Sequence, residues 1–293
     1  MKCLKTSKSS GLLELIAGGR EELLRAGIEE AQEECERILM KVLGCVRSEL
    51  FLKKHELSAS GARGRFLEIL EKRTQRIPLA YLLNEADFWH ETLFVDERCL
   101  VPRPETEILI EQVLKHLGKP SEKHFSFLDL GTGSGAIAIA ILRTCRDARA
   151  TLLDISEGAL EVALKNLKRY GLENRAERVR GDLFESFLNG ERWDLIISNP
   201  PYLSETDLEK VQEEIKFEPQ SALYGGRDGL DFYRTIIVQA KDHLVVGGLI
   251  ALEVGQGQAA IVSKWLQEAG YDSIQRFSDY LHIERVITAQ RHS

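Results

Sequence analysis

The sequence predicts an α/β fold in which a mostly parallel sheet carries helices on both faces and a small helical bundle precedes it. Three observations carry this reading. From about residue 108 onward, short apolar runs alternate with amphipathic helical stretches, the rhythm of βαβ units. A glycine-rich turn, Gly131-Thr132-Gly133-Ser134-Gly135, follows the first apolar run directly. Residues 10 to 85 show helical spacing and no two-residue alternation.

The elements follow in order. Over Ile28–Gly44, apolar residues recur at Ala31, Cys35, Ile38, Leu39, Val42 and Leu43, one face of a helix. A second amphipathic stretch carries Phe66, Leu67, Ile69 and Leu70 and stops before Pro78. These make residues 1–85 a bundle, expected to bind a partner. Residues 86–107 change texture: Phe88-Trp89 and Leu93-Phe94-Val95 read as a hairpin-like β region. It leads into Leu100-Val101-Pro102-Arg103-Pro104-Glu105-Thr106-Glu107, where prolines on both sides of an arginine forbid regular structure. Residues 108–293 hold the α/β domain. Strands are expected at Phe125–Leu130, Ala148–Asp154, Ala176–Arg180, Trp193–Ser198, Gly248–Val254 and Ile283–Ala289. Helices are expected at Ile108–Leu117, Gly135–Arg143, Ala159–Tyr170, Leu230–Leu244 and Gln256–Ala269.

Bulk properties narrow the function. The chain has 293 residues, 43% hydrophobic and 29% charged, an ordinary globular balance. It lacks an apolar run of membrane-spanning length and a signal-peptide pattern after Met1–Lys8, so the cytoplasm is the expected compartment and no membrane partner is expected. Five cysteines, Cys3, Cys35, Cys45, Cys99 and Cys145, show no CxxC pair, which argues against a disulfide framework or a zinc site. Cys35 and Cys145 fall in helical patterns and read as small buried hydrophobes. A net charge of −7 gives no basic footprint for duplex DNA.

The glycine turn is the first candidate site. Its glycines allow the backbone to approach a ligand, and the helix after it offers free N–H groups. Asp154, at the end of the second strand, is placed to accept from both ribose hydroxyls of a nucleoside. Asp182 ends the third strand in Gly181-Asp182-Leu183-Phe184, where it can accept from an adenine amino group while Leu183 packs on the ring. Blander roles stay open: Asp129 as a loop cap, and Asp154 as an N-cap for the helix after it. No Gly-Lys-Ser/Thr follows, so this is not a P-loop.

The second candidate site is Asn199-Pro200-Pro201-Tyr202, at the end of the apolar run Trp193–Ser198. Two prolines supply no backbone donor and cannot continue a central strand, so the chain leaves the sheet there. The asparagine amide both donates and accepts, which suits a planar acceptor carrying an NH2 group, whether an amide or an amino-substituted base.

Together the glycine loop, Asp154, Asp182 and Asn199-Pro200-Pro201-Tyr202 resemble class I S-adenosylmethionine-dependent methyltransferases that act on planar nitrogen. The segment Leu100–Glu107 resembles the signature of the HemK/PrmC family, protein-(glutamine-N5) methyltransferases. Phe88-Trp89, Glu218-Pro219-x-x-Ala222-Leu223-x-Gly225-Gly226-x-Asp228-Gly229-Leu230 and Leu252-Glu253-Val254-Gly255 match it too. The resemblance runs from about Arg73 to the C-terminus, and the bundle fits the family by texture. It implies a Rossmann-like, mostly parallel seven-stranded sheet and S-adenosyl-L-methionine as methyl donor, with S-adenosyl-L-homocysteine as product. The implied acceptor is the glutamine of the Gly-Gly-Gln motif in peptide chain release factors. Gly131, Thr132, Gly133, Ser134 and Gly135 would form the cofactor loop, Asp154 would hold the ribose, and Asp182 and Leu183 would meet the adenine. Asn199, Pro200, Pro201 and Tyr202 would bind the glutamine amide, with Asn199 also at the cofactor. Asn199 Oδ1 and the Pro200 carbonyl are the expected acceptors of the two amide N–H bonds, and Asn199 Nδ2 or a backbone N–H is the expected donor to the glutamine carbonyl. Tyr202 is expected to pack on the flat amide.

Two positions depart from the family pattern: Asn84 stands where a glycine is expected, and Asp279-Tyr280-Leu281-His282 is less glycine-rich. Several roles stay open. Arg103 forms either part of a stiff linker or a pocket wall paired with Glu105 or Glu107. Phe88 and Trp89 are core aromatics or part of the glutamine slot. His282 and Arg285 read as surface or satisfied polar residues. The rival classes are a nucleic-acid amino-methyltransferase, which needs a basic channel for a flipped base, and a non-enzymatic binding module on a decayed fold.

Overall fold

The computed structural model describes residues 11–50, 52, 61–118, 124–187 and 190–292, so Cys3 and the charged N-terminal segment lie outside the described residues. Two compact units emerge, Met1–Asn84 with Glu213–Phe217, and Glu85–Gln212 with Glu218–Ser293.

The first unit is helical: α1 (Leu12–Arg25), α2 (Ala31–Leu43), α3 (Ala62–Arg73) and α4 (Leu79–Leu83). Their apolar stripes meet in one core, with Leu15, Leu23, Cys35, Ile38, Leu39, Phe66 and Leu70 fully buried. Arg73 is 5% exposed, and its guanidinium binds both oxygens of Glu34, at 2.7 and 3.0 Å. Glu214 joins the same cluster, 2.9 Å from Arg73 and 2.7 Å from Arg76. A buried cation of this kind persists only when it is paired. Asn84 caps α4 at φ 52°, a left-handed position that asparagine tolerates nearly as well as glycine, which accounts for the first departure from the family pattern.

The second unit opens with a hairpin of β1 (Ala86–Phe88) and β2 (Glu91–Leu93). Phe88 is a core residue at 3% exposure and Trp89 packs beside the same core. α5 (Thr106–Leu117) follows the proline segment. The main sheet then holds β3 (Ser126–Leu130), β4 (Arg149–Asp154), β5 (Ala176–Arg180), β6 (Trp193–Ser198), β7 (Leu244–Glu253), β8 (Tyr271–Ser278) and β9 (Glu284–Arg291). Their spatial order is β5-β4-β3-β6-β7-β9-β8. The ladders are parallel up to β7, and β9 runs antiparallel to both of its neighbours. Helices α6 (Ala136–Thr144), α7 (Glu157–Arg169), α9 (Asp231–His243) and α10 (Ala259–Glu268) cover the faces, and the short α8 (Glu205–Leu208) lies in the loop after β6. Two apolar cores lie against the sheet, one holding α5 and α6 and the other holding α9 and α10. β3 and β6 are buried along nearly their whole length, as central parallel strands are.

One strand was not anticipated. β8 alternates a single buried tyrosine with mostly exposed polar residues, and it forms the outer edge of the sheet, so its sequence lacks the apolar run that marks the other strands. In the turn between β8 and β9, Asp279 Oδ1 accepts from the N–H groups of Leu281 and Ile283, at 2.8 and 2.9 Å. His282 takes the left-handed position at φ 61°, where a glycine would be the easy choice. Among the described residues no helix is long and apolar enough to cross a membrane.

Candidate active site

The strand order reverses between β3 and β6, whose register pairs Leu130 with Ser198. Ligands of open α/β sheets bind in the crevice at such a switch point, beyond the C-terminal strand ends. Both candidate motifs leave the sheet there, side by side. The glycine turn continues β3, and Asn199 continues β6. The Ser198 hydroxyl donates to the Leu130 carbonyl at 2.7 Å and fastens the two ends together.

The glycine turn is shaped by two aspartates. Gly131, Gly133 and Gly135 all have positive φ, at 71°, 55° and 81°, so a side-chain residue at any of them would be strained. Asp154 Oδ2 accepts from the Gly133 N–H at 2.9 Å while Oδ1 accepts from the Ser156 N–H at 2.9 Å. The N-cap of α7 is Ser156, whose hydroxyl accepts from the Ala159 N–H. Asp154 therefore braces the turn from β4 rather than capping α7. Burial raises its carboxyl above the usual range, against the backbone bonds that favour the charge. Asp129 is fully buried beneath the turn and accepts through Oδ2 from the Thr132 hydroxyl at 2.7 Å and the Ala138 N–H at 3.2 Å. Burial pushes it up to about 7.

A cavity of about 560 Å³ opens at this switch point, within the range of small-molecule sites. Gly131, Gly133, Asp154, Asp182, Leu183, Asn199 and Pro201 line it. Ile155, Ala159 and Phe232 add apolar wall. Leu183 has φ 47°, an uncommon backbone for leucine, and it holds its side chain at the cavity wall. Thr132, Ser134 and Gly135 do not line the cavity. They build the turn: Thr132 binds Asp129, and the Ser134 carbonyl accepts from Asn166 Nδ2 at 2.9 Å. Pro200 is buried and Tyr202 half-buried, and neither lines the cavity.

The loop after β6 is held from behind. Gln258 Nε2 donates to the Tyr202 carbonyl at 3.0 Å and the Gly229 carbonyl at 3.1 Å, and its Oε1 accepts from the Gly255 N–H at 2.9 Å. Leu203 exchanges backbone bonds with Leu223 and Gly225, each 2.9 Å. Gly225 lies so close that an added Cβ would fall 2.6 Å from the Pro201 carbonyl oxygen and 2.8 Å from Tyr202 Cα.

Asn199 is fixed by its amide nitrogen. Nδ2 donates to Thr106 Oγ1 at 3.0 Å, and the Thr106 hydroxyl donates to Glu253 Oε2 at 2.6 Å. Glu253 is 1% exposed, and burial pushes it up to about 7, while bonds from Thr106 and Tyr202 and the nearby Arg285 favour its charge. The ring of Tyr202 packs against the sheet core, and its hydroxyl is drawn into this polar cluster.

The expected pairing of Arg103 with Glu105 or Glu107 is not what forms. Arg103 pairs with Glu218 at 2.5 Å, and Glu218 also accepts from the Val101 N–H at 3.1 Å. Glu107 instead accepts from the Trp89 N–H at 2.7 Å. Leu100 and Pro219, on the two segments that Glu218 joins, both line the cavity. Of the two readings for Arg285, surface or satisfied polar residue, the second holds: it is half-buried and paired with Asp279 at 3.1 Å, and it contributes to the field at Tyr202 and Glu253. Phe88 and Trp89 lie outside the cavity lining. The sequence gives no role to Gln258, shows Glu218 and Glu253 only within motifs, and offers Thr106 only as a candidate start of α5, where the helix does begin.

Comparisons with known proteins agree with this architecture. The methyltransferase small domain family matches residues 104–226, and the PrmC N-terminal domain family matches residues 14–83. A methyltransferase from Pyrococcus furiosus superposes with a TM-score of 0.52 at 19% identity, covering 69% of this chain and 89% of that one, a likeness of fold. A release factor glutamine methyltransferase from Clostridium acetobutylicum is 36% identical over 241 residues, 82% of this chain and 84% of the relative. Another, from Xylella fastidiosa strain Temecula1, is 40% identical over 265 residues, 90% of this chain and 95% of the relative. With a class I methyltransferase fold, a cavity at its switch point and this likeness along nearly the whole chain, the protein belongs to the release factor glutamine methyltransferase family.

Proposed function

We propose that the protein transfers the methyl group of S-adenosyl-L-methionine to the side-chain amide nitrogen of the glutamine in the Gly-Gly-Gln motif of peptide chain release factors. The carrying observation is the 40% identity to such an enzyme over 90% of the chain, joined to a cavity that has the glycine turn on one side and Asn199 on the other. The cavity fits the donor in chemistry. Asp154 and Asp182 offer carboxylates for ribose hydroxyls and the adenine amino group, and Leu183, Ile155 and Phe232 offer apolar surface for a base. When bound, the donor would supply an electrophilic methyl carbon on a sulfonium: the C–S bond would break as the C–N bond forms, its electron pair staying on sulfur, and the amide nitrogen would lose one N–H proton to solvent.

The chain's own residues then act by position. An amide nitrogen is a weak nucleophile because its lone pair is delocalised into the carbonyl. Thr106 occupies one donor of Asn199 Nδ2 and leaves Oδ1 as the acceptor end. Oδ1 and the Pro200 carbonyl accept the two N–H bonds of the glutamine amide, which orients the nitrogen and stabilises positive charge growing on it. Positioning of this kind contributes on the order of 7–11 kcal/mol. The glycine turn, braced by Asp154, keeps side chains away from the donor.

The decisive experiment incubates the protein with S-adenosyl-L-methionine and a release factor, and reads tryptic peptides by mass spectrometry. One added methyl on the Gly-Gly-Gln glutamine is expected. Methyl transfer to DNA or RNA instead, with none to the release factor, would overturn the reading. Asn199→Ala should lose at least about 100-fold in kcat and keep cofactor affinity by calorimetry; near-normal turnover would remove Asn199 from the chemistry.

A further inference from the structure

We infer that Thr106 and Glu253 are positioning residues that select which end of the Asn199 amide faces the acceptor; this rests on the methyl-transfer reading above. The three groups come from three elements. Asn199 follows β6, Thr106 opens α5 and Glu253 ends β7, with separations of 93 residues between Asn199 and Thr106 and 147 between Thr106 and Glu253. Thr106 is 4% exposed and Glu253 1%, so these two are sealed from water behind Asn199, which faces the cavity.

Hydrogen-bond capacity gives the chain a direction. An ionised carboxylate only accepts. The Thr106 hydroxyl has one proton and, 2.6 Å from Glu253 Oε2, gives it to the carboxylate. Its oxygen is then left as an acceptor for Asn199, 3.0 Å away. Only the NH2 end of the amide can supply that bond, so Oδ1 is turned from Thr106. The opposite flip would set Oδ1 against an oxygen that has no proton left to give. An acceptor with N–H bonds then meets an oxygen, and an acceptor lacking them meets an unpaired lone pair, a strong ground for rejection. Burial and the nearby Glu105 work against the charge on Glu253, while the bonds from Thr106 and Tyr202 and the charge of Arg285 favour it, and the direction of the chain is that of the ionised form. Glu253 touches neither ligand and acts through Thr106.

The test compares Thr106→Val, Thr106→Ser and Glu253→Gln in the full chain. Valine keeps the shape and removes the hydroxyl, serine restores it, and glutamine gives Thr106 a partner that can donate as well as accept. Expected for Thr106→Val is a fall in kcat of about 10- to 100-fold, with cofactor affinity held near wild type and a lowered thermal midpoint, since Glu253 loses a donor. Thr106→Ser should recover most of that loss, and Glu253→Gln should fall between the two. A second readout needs no turnover: the side-chain amide nitrogen–proton signals of Asn199, assigned by their loss in Asn199→Ala, should shift in Thr106→Val and return in Thr106→Ser. Wild-type kcat in Thr106→Val with unmoved Asn199 signals overturns the inference, and so does failure of serine to restore either one. If wild-type protein adds no methyl to the release factor, the proposed function fails, while the amide signals still decide the orientation.

Discussion

Gly225 does not line the cavity, yet adding one methyl group there should slow the enzyme. Its Cβ would lie 2.6 Å from the Pro201 carbonyl oxygen, 2.8 Å from Tyr202 Cα and 2.9 Å from the Gly229 carbonyl oxygen. All three are backbone atoms, so no rotamer change relieves them. Ordinary contact begins near 3.4 Å, so the loop after β6 must retreat by about 0.8 Å, or Gly225 must, at a cost of roughly 1–3 kcal/mol for an overpacked site. The Gln258 bond to the Tyr202 carbonyl and the Leu203 bonds to Leu223 and Gly225 tie the loop in place and would be strained by that retreat. The displaced segment directly follows Asn199 and Pro200, and a misplacement near 1 Å costs about 100-fold in rate. Gly225→Ala should therefore lower kcat by about 10- to 100-fold, lower the urea midpoint modestly, and leave cofactor affinity almost intact because the glycine turn is untouched. The assay is methyl transfer to a release factor under saturating donor, beside calorimetry and urea unfolding. Wild-type kcat in a folded Gly225→Ala would refute the claim that this contact sets the loop.

Two further outcomes follow from the buried aspartates. Asp154→Ala removes both the brace on Gly133 and a candidate acceptor for ribose, so cofactor dissociation by calorimetry should weaken by about 10-fold or more; an unchanged constant would separate Asp154 from the cofactor. Asp129 moves from an ordinary 3.8 to about 7 in the folded chain, so between those values the folded state holds the extra proton, and stability falls as pH rises through this window by on the order of 4 kcal/mol. Asp129→Asn should flatten that part of the urea-stability profile between pH 4 and 7, on the order of the same amount, and an unaltered slope would contradict the assignment.

What was legible in the chain followed from local rules. β3, β4 and β6 are apolar because both sheet faces are covered, and the glycine turn is readable because positive φ leaves few alternatives to glycine. Asn199-Pro200-Pro201-Tyr202 announces its exit from the sheet through its prolines. What stayed hidden depends on partners far away in sequence. β8 gains its ladder from β9 at an exposed edge and carries no apolar signature. Arg103 finds Glu218, 115 residues on, in preference to the acidic residues beside it, because Glu218 is buried and also binds the Val101 backbone. Gln258 looks like any polar residue before a helix until its two ends are seen spanning the Tyr202 and Gly229 carbonyls and the Gly255 N–H.

The two halves of the cavity share one physical solution. Under the glycine turn lies Asp129, and behind Asn199 lies Glu253, each a carboxyl removed from water and pushed up to about 7 by burial. Neither lines the cavity. Burying such groups is unfavourable, so stability alone would replace them with apolar side chains. Their placement makes sense as orientation. Asp129 aligns Thr132 and the first turn of α6, and Glu253 aligns Thr106 and through it Asn199. A hydroxyl stands between carboxylate and working group in the second case because a carboxylate touching Asn199 directly would bind its NH2 with a full charge beside the methyl-transfer site. Thr106 passes on the direction of the hydrogen bond while setting the charge one residue further away, which, under the proposed mechanism, leaves the field at the acceptor to the neutral oxygens of Asn199 and Pro200.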